Sequence, residues 1–185
     1  TVTLVPCHDA RSNAVIMRNR RIGCSISGIT QAIAKLGQAT FDQWCDTGYH
    51  YIMELDHTYS DWLCIPQSIR HTTVKPSGSV SLLAGATPGV HFPHSEFYLR
   101  RVRIADSSPL LGALKSAGYP VEPDVYSRDT FVVSFPVREE HFTKGKADAS
   151  IWEQFALVAK LQKYWADNQV SVTVSFNKNE AKDIG

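Results

Sequence analysis

The sequence has few of the features that mark membrane, secreted or nucleic-acid-binding proteins. No apolar stretch is long enough to span a bilayer, and no signal-peptide pattern opens the chain. The formal net charge is only +1, from 19 Lys and Arg against 18 Asp and Glu, so we expect no broad attraction to nucleic acid or to an acidic membrane. There is no internal repeat or low-complexity tract. We therefore expect a globular protein of the cytoplasm.

Cysteine is also scarce, and its spacing argues against a structural zinc site. Four cysteines stand at positions 7, 24, 45 and 64, and no pair has Cys-x-x-Cys spacing. Cys45 and Cys64 fall on apolar positions of a predicted helix, and Cys24 falls within a strand-like run. We therefore predict that all four are reduced thiols with structural roles.

Two other groups of polar residues invite a functional interpretation. Arg18, Arg20 and Arg21 could steer a phosphate, although such small clusters are more typical of a solvated strand entry. His91 and His94 have a spacing that can share a metal on a helix. The proline between them argues against a helix, and no nearby carboxylate or thiol completes a ligand set. We predict loop histidines and no metal site.

Predicted strands and helices alternate along most of the chain, which favours an α/β fold with mainly parallel strands. Residues 138–148 are polar and predict a surface loop. Capping boxes at Thr40–Gln43 and Ser150–Glu153 predict two helix starts. The predicted strands cover residues 21–27, 68–75, 97–104, 130–137 and 170–176, and the predicted helices begin at residues 29, 40, 81, 109 and 151.

The stretch from Thr72 to Gly85 is the most informative in the chain. A β-branched run stops at Pro76, a hydroxyl-rich turn follows, and a short apolar helix is predicted from Ser81. Glycine lets such a turn bring successive backbone N–H groups toward one anion, and a helix start adds its positive end. The same pattern also suits an ordinary strand–turn–helix corner with serine as the N-cap. It is not a Walker loop, which has a second glycine followed by Lys-Ser/Thr.

The longer run Lys75-Pro76-Ser77-Gly78-Ser79-Val80-Ser81-Leu82-Leu83-Ala84-Gly85, continuing through Thr87-Pro88-Gly89-Val90-His91 to His94, resembles a known loop. It is similar to the substrate-phosphate loop of the adenosylcobalamin-dependent (class II) ribonucleotide reductases. The resemblance is strongest to the monomeric type that reduces ribonucleoside triphosphates. Residues 19–29 resemble a stretch that precedes this loop in the family, and residues 170–176 resemble a late barrel strand. The resemblance covers nearly the whole chain.

The resemblance implies a fold. Residues 1–185 would be a single segment of the catalytic domain, truncated at both ends, and would form part of the ten-stranded α/β barrel of ribonucleotide reductases. Open sheet edges and an uncovered core face would then make the isolated chain poorly soluble or self-associating.

The resemblance also implies an activity, the reduction of ribonucleotides by a thiyl-radical mechanism for deoxyribonucleotide synthesis. The intact enzyme would bind adenosylcobalamin and take electrons from a thioredoxin-like or other dithiol reductant. The family's Asn-x-Cys-x-Glu motif is absent here and is expected upstream of Thr1, so no catalytic residue is assigned within this segment. The implied substrate-phosphate ligands are Pro76, Ser77, Gly78, Ser79, Val80 and Ser81.

Two other interpretations of the sequence remain open. The chain could be a non-catalytic nucleotide-phosphate binding chain of a split enzyme. It could also be a fragment of a ribonucleotide reductase large subunit of another class, with the radical supplied by a partner subunit. Dependence of the intact protein on adenosylcobalamin would distinguish a class II reductase from a large subunit of another class.

Overall fold

Residues 94–140 fold as a unit of their own, inserted between the two parts of a larger unit. In the computed structural model, which describes residues 2–78 and 80–183, unit 1 comprises residues 1–93 and 141–185 and unit 2 comprises residues 94–140. The prediction that residues 1–185 form a single segment of one barrel domain stays a prediction.

Unit 1 contains five of the α-helices and two short strands that the structure describes. The helices are α1 (Ala10–Asn19), α2 (Ile29–Leu36), α3 (Gln38–Trp62), α4 (Val80–Leu83) and α6 (Ile151–Tyr164), and the strands are β1 (Cys24–Ser25) and β2 (Thr72–Thr73). Short 3-10 helices cover Val2–Leu4 and Lys178–Asp183. No helix in these described ranges combines the length and the apolar character needed to cross a membrane.

The strand pairings of unit 1 are parallel, as predicted. Strand β1 pairs with β2, and Val74, just beyond β2, bridges Val170 in the parallel direction. Helices α2, α3 and α6 cover these segments with a core built around Ile29, Val74 and Leu161, each no more than 2% exposed. Trp165 packs in the same core, and a side chain at Gly48 of α3 would come within 3.4 Å of its ring.

Unit 2 differs from the predicted arrangement because its strands are antiparallel. Strand β5 (Thr130–Arg138) lies between β3 (Phe97–Ala105) and β4 (Val121–Pro123). Helix α5 (Pro109–Ser116) begins where the sequence predicts, with the Ser108 hydroxyl accepting the Leu110 N–H. The connection from β4 to β5, residues 124–129, is too short for the crossover that parallel neighbours need, so these two strands run in opposite directions.

Two predictions about helix α3 are wrong. The helix begins at Gln38, so the proposed capping box at Thr40–Gln43 lies inside it. Gly37 ends α2 and precedes α3 with φ of 81°, a conformation that glycine adopts without strain. The aromatic side chains of α3 recur at helical spacing, which predicts a face packed in the core, but Trp44, Tyr59 and Trp62 are all more than half exposed.

The predicted strand at residues 170–176 forms only in part. Beyond the bridge at Val170, residues 171–176 belong to no strand. Gln154 of α6 accepts the Ser175 N–H at 3.0 Å and donates to the Ser175 carbonyl at 2.6 Å. A side chain thus takes the place of a neighbouring strand at Ser175, and the alternating pattern predicts a longer ladder than the structure shows.

Only one of the four cysteines is buried, although the sequence predicts structural roles for all four. Cys45 is buried in α3, whereas Cys7, Cys24 and Cys64 are exposed. Cys64 lies beyond the end of α3, with a positive φ of 52°, because the helix stops at Trp62. All four are free thiols.

Candidate phosphate-binding site

The loop from Lys75 to Ser81 begins at the carboxyl end of the parallel strands of unit 1. Strand β2 and Val74 lead directly into it, with β1 on one side and Val170 on the other. In parallel α/β folds, ligands bind outside the carboxyl ends of the strands, where the connecting loops gather. The loop therefore occupies the position in which a ligand-binding loop is expected.

The entrance to the loop is fixed from both sides. Val74 is completely buried, and its carbonyl accepts the Ser171 N–H at 3.0 Å. The next N–H, that of Lys75, donates to the Ser25 hydroxyl of β1 at 3.2 Å. The backbone thus starts the turn from a defined point between its two neighbours.

The structure brings two of the predicted phosphate ligands together inside the turn. The Ser77 hydroxyl accepts the Ser81 N–H at 3.1 Å, and the Ser81 hydroxyl donates to the Ser77 carbonyl. Ser81 is buried, Ser77 is half-buried and Val80 is 71% exposed. In this structure the Ser81 N–H is therefore engaged within the loop, so a bound phosphate would have to replace the Ser77 hydroxyl there.

The other predicted ligands are less completely defined. Pro76 and Gly78 are exposed at the turn. Ser79 lies outside the described residues. Helix α4 starts at Val80, one residue before the predicted start, and is only four residues long.

The chain returns from the loop along a path held by Gln31 of α2. The Gln31 amide donates to the Gly85 carbonyl at 2.9 Å and accepts the Thr87 N–H at 3.0 Å. Thr87 is fully buried, and its carbonyl accepts the Gly28 N–H at 2.8 Å. Sequence patterns gave no sign of this contact because its residues lie more than fifty positions apart.

Gly89 brings the return path against the entrance of the loop. Its φ is +50°, and a Cβ built there would lie 2.7 Å from the Lys75 carbonyl oxygen. That distance is shorter than any normal carbon–oxygen contact, so only glycine allows this approach. The close approach sets the spacing between the two ends of the loop.

A buried ionic network that the sequence did not predict lies beside strand β2. Arg20 lies 3.8 Å from Asp56 of α3 and donates to the Ser60 hydroxyl at 2.8 Å and the Pro66 carbonyl at 2.6 Å. Its side chain is only 6% exposed. The phosphate-steering and solvated-surface interpretations of Arg20 are therefore both wrong. A single arginine beside Arg18 and Arg21 gives no sign in the sequence that it is buried.

His71 and Asp167 complete this network. The His71 ring lies between the Asp56 and Asp167 carboxylates, at 3.2 and 3.3 Å. Burial acts to raise the pKa of Asp167, but hydrogen bonds from the His71 N–H, the Tyr49 hydroxyl and the His71 ring, with the charge of His71, outweigh it and lower that pKa. Asp167 is thus held as a carboxylate.

The histidine at position 91 has a structural role. One of its ring nitrogens contacts the Pro88 carbonyl at 3.0 Å, and the other accepts the Thr173 N–H at 3.2 Å. Both nitrogens are therefore used within unit 1. Across residues 2–78 and 80–183, no three His, Cys, Asp or Glu side chains come together in a way that could hold a metal ion.

Glu139 contradicts the prediction of a solvated loop at residues 138–148. It is buried, its N–H donates to the Glu96 carbonyl at 2.8 Å, and its carboxylate accepts the Tyr98 hydroxyl at 2.8 Å. Burial, followed by this bond and the Glu139 charge, raises the pKa of Tyr98 to about 12.

Comparison with known proteins gives a consistent result. No protein-family model matches the chain. An adenosylcobalamin-dependent ribonucleoside-triphosphate reductase from Euglena gracilis is 51% identical over 178 residues, which cover 96% of this chain and 24% of that protein. The enzyme of the same name from Levilactobacillus brevis is 42% identical, over 94% of this chain and 27% of its own length.

A solved structure agrees with these sequence matches. The crystal structure of a B-12 dependent (class II) ribonucleotide reductase superposes with a TM-score of 0.88 at 37% identity, over 99% of this chain and 30% of the other. The match confirms the predicted fold class, part of the α/β barrel of ribonucleotide reductases. The chain spans about a quarter of the length of the curated relatives it matches. Along nearly its whole length, the chain is homologous to a segment of the adenosylcobalamin-dependent (class II) ribonucleotide reductases.

Proposed function

We propose that this chain supplies the substrate-phosphate loop of an enzyme that reduces ribonucleoside triphosphates to 2′-deoxyribonucleoside triphosphates. The observation that carries the proposal is the match of 96% of the chain to reductases of that name. The position of Lys75–Ser81 at the carboxyl ends of parallel strands supports it independently.

In this proposal the loop holds the substrate by its phosphates. Pro76 fixes the turn, and Gly78 lets the backbone approach the phosphate oxygens closely. The hydroxyl and N–H groups of Ser77 and Ser79, with the N–H groups of Val80 and Ser81, donate to those oxygens. Hydrogen bonds to a charged group contribute roughly 1.5–3 kcal/mol each. Holding the ribose in place is itself a large part of catalysis.

The other components of the reaction belong to the intact enzyme. When bound, adenosylcobalamin would supply the radical chemistry, and a thioredoxin-like or other dithiol would supply the electrons. Among the residues that the structure describes, we assign none to the cobalamin. The exposed thiols of Cys7, Cys24 and Cys64 are assigned no redox role. We place the enzyme in the cytoplasm.

The proposal is tested in the full-length reductase with the double variant Ser77→Ala, Ser79→Ala. Loss of two charge-assisted hydrogen bonds should raise the KM for a ribonucleoside triphosphate well over tenfold, since about 1.4 kcal/mol corresponds to a factor of ten. Ser116→Ala, at an exposed position of α5, is the control and should leave the KM unchanged. An unchanged KM in the double variant would remove the phosphate role.

Activity without adenosylcobalamin separates the proposal from the other reductase class. The names of the relatives favour dependence on adenosylcobalamin. Full activity with a diiron partner subunit and no cobalamin would instead support the large-subunit interpretation.

A further inference from the structure

The buried network beside strand β2 lies apart from the loop that binds substrate in the proposed function. Its central side chain is His71, which immediately precedes β2. The side chains of Arg20, Asp56, His71 and Asp167 are only 6%, 7%, 11% and 13% exposed. Ionisable groups at this degree of burial are costly unless they are paired, so their arrangement calls for a reason.

His71 contacts two carboxylates through its two ring nitrogens. Nε2 lies 3.2 Å from Asp56 Oδ2, and Nδ1 lies 3.3 Å from Asp167 Oδ2. A carboxylate accepts hydrogen bonds and cannot donate them when ionised. In either contact only the ring can be the donor, so this one side chain links the two carboxylates.

The remaining contacts of the two carboxylates come from separate parts of unit 1. Asp56, on α3, also accepts the Ser68 N–H at 2.7 Å and lies 3.8 Å from Arg20. Asp167, just after α6, also accepts the His71 N–H at 2.9 Å and the Tyr49 hydroxyl at 2.8 Å, and lies 3.9 Å from Arg70. His71 thus joins α3 to the segment that follows α6.

The segment that follows α6, residues 165–171, also holds strand β2 in register. The Thr72 carbonyl accepts the Asn168 N–H at 3.0 Å, and the Thr73 carbonyl accepts the Trp165 indole N–H at 2.9 Å. The Val74 carbonyl accepts the Ser171 N–H at 3.0 Å. The bridge from His71 to Asp167 therefore fixes the start of a ladder that ends at Val74, the residue before the loop.

We propose that His71 is a positioning residue for substrate phosphate: by bridging Asp56 and Asp167 it fixes strand β2, and through it the Lys75–Ser81 loop, against residues 165–171. This inference rests on the proposed function of the loop. In this inference His71 does not touch the substrate. Without the ring contacts to Asp56 and Asp167, β2 keeps its fold, but the position of the Lys75 N–H relative to Ser25 is less well fixed.

The test uses the full-length reductase and compares substitutions at position 71. His71→Ala removes both ring contacts, whereas His71→Gln keeps a donor where Nε2 lies and loses only the ring contact to Asp167; the backbone N–H contact to Asp167 remains in both variants. We expect the KM for a ribonucleoside triphosphate to rise about tenfold in His71→Ala, as misplacement of binding groups by remote changes allows. In His71→Gln the rise should be smaller, with kcat within about twofold of the parent in both variants.

His57→Ala is the matched control, because His57 is a histidine on α3 whose side chain is 62% exposed and pairs with the equally exposed Asp61. It should leave KM unchanged. If His71→Ala does not fold, His71→Gln decides: an increase in KM of about threefold or more supports the positioning role. An unchanged KM together with a lowered melting temperature would show that His71 only stabilises the fold, and would overturn the inference.

The KM values of the His71 variants are compared with that of the Ser77→Ala, Ser79→Ala variant. If the serine variant raises KM and the His71 variants do not, the loop binds phosphate and the inference about His71 fails alone. If the serine variant leaves KM unchanged, the proposed function of the loop fails, and the inference about His71 falls with it.

Discussion

Replacing Gly89 by alanine should disturb the loop far more than the same change at Gly85. Both glycines have a positive φ, +50° at Gly89 and +66° at Gly85, so alanine is strained at either position. This strain lowers the free energy of unfolding by about 1–2 kcal/mol. Alanine recovers roughly 0.4–1 kcal/mol of it, because the unfolded chain is less flexible with alanine than with glycine and loses less entropy on folding. We therefore expect Gly85→Ala to destabilise the protein by about 1 kcal/mol.

The difference between the two sites is what the new methyl group would contact. At Gly85 a Cβ meets nothing within 4 Å, whereas at Gly89 it lies 2.7 Å from the Lys75 carbonyl oxygen and 3.1 Å from the Lys75 carbonyl carbon. Relieving an overlap with backbone costs about 1–3 kcal/mol more. Gly89→Ala should thus destabilise the protein by about 2–4 kcal/mol in total, and it should displace Lys75, the first residue of the Lys75–Ser81 loop.

Urea unfolding of both variants measures this difference directly, and the KM of the full-length enzyme measures its effect on the loop. We expect Gly89→Ala to lower the free energy of unfolding more than Gly85→Ala and to raise KM. Equal destabilisation by the two variants would show that the close approach to Lys75 does not constrain the loop.

Two further predictions concern titratable groups. Burial, followed by the charge of Asp42, raises the pKa of the Cys45 thiol to about 11. A thiol reagent at neutral pH should therefore label the exposed Cys7, Cys24 and Cys64 rapidly and Cys45 only on unfolding. Cys45→Ala should remove only the slow phase of labelling, and rapid labelling of all four thiols would refute the prediction. In the folded protein the pKa of Asp167 is lowered from its ordinary value of 3.8, so its contribution to stability is present above about pH 4 and is lost as the pH falls through the lowered pKa. Asp167→Asn should flatten the acid-unfolding profile below pH 4, whereas Asp46→Asn, at a site 55% exposed, should not; equal profiles for Asp167→Asn and the parent would contradict this.

Local signals in the sequence predicted the elements whose ends are fixed by neighbouring residues. The Ser150 hydroxyl accepts the Glu153 N–H at 3.1 Å at the start of α6, as its capping box predicted. Ser108 caps α5 in the same way. Both contacts join residues two or three positions apart, so the sequence carries them in full.

The ionic network beside β2 could not be predicted in this way. Arg20 meets Ser60 forty positions away, and His71 meets Asp167 ninety-six positions away. A charged residue in a polar stretch has the same local pattern whether it is solvated or buried with a distant partner. The resemblance of residues 75–94 to a known loop predicts a candidate site, but the groups that hold the loop appear only in the three-dimensional contacts.

The same distinction applies to Glu139. The polar run after β5 favours a surface loop, and the buried contact with Tyr98 depends on the pairing of β3 with β5. The exposed aromatic side chains of α3 show the opposite error. Their helical spacing predicts a buried face, but only Phe41 and Cys45 among the apolar side chains of that helix are fully buried.

The insertion of unit 2 has a consequence for how this part of the chain can change in evolution. Unit 1 is left at Pro93 and re-entered at His141, and the Lys146 N–H donates to the Pro93 carbonyl at 2.7 Å. The points of exit and return in unit 1 are therefore held close together whatever lies between them. The entropic cost of closing a loop depends weakly on its length: a tenfold change in length changes this free energy by only about 2 kcal/mol. Insertions and deletions within residues 94–140 can thus accumulate with little thermodynamic penalty to the strands that carry the Lys75–Ser81 loop.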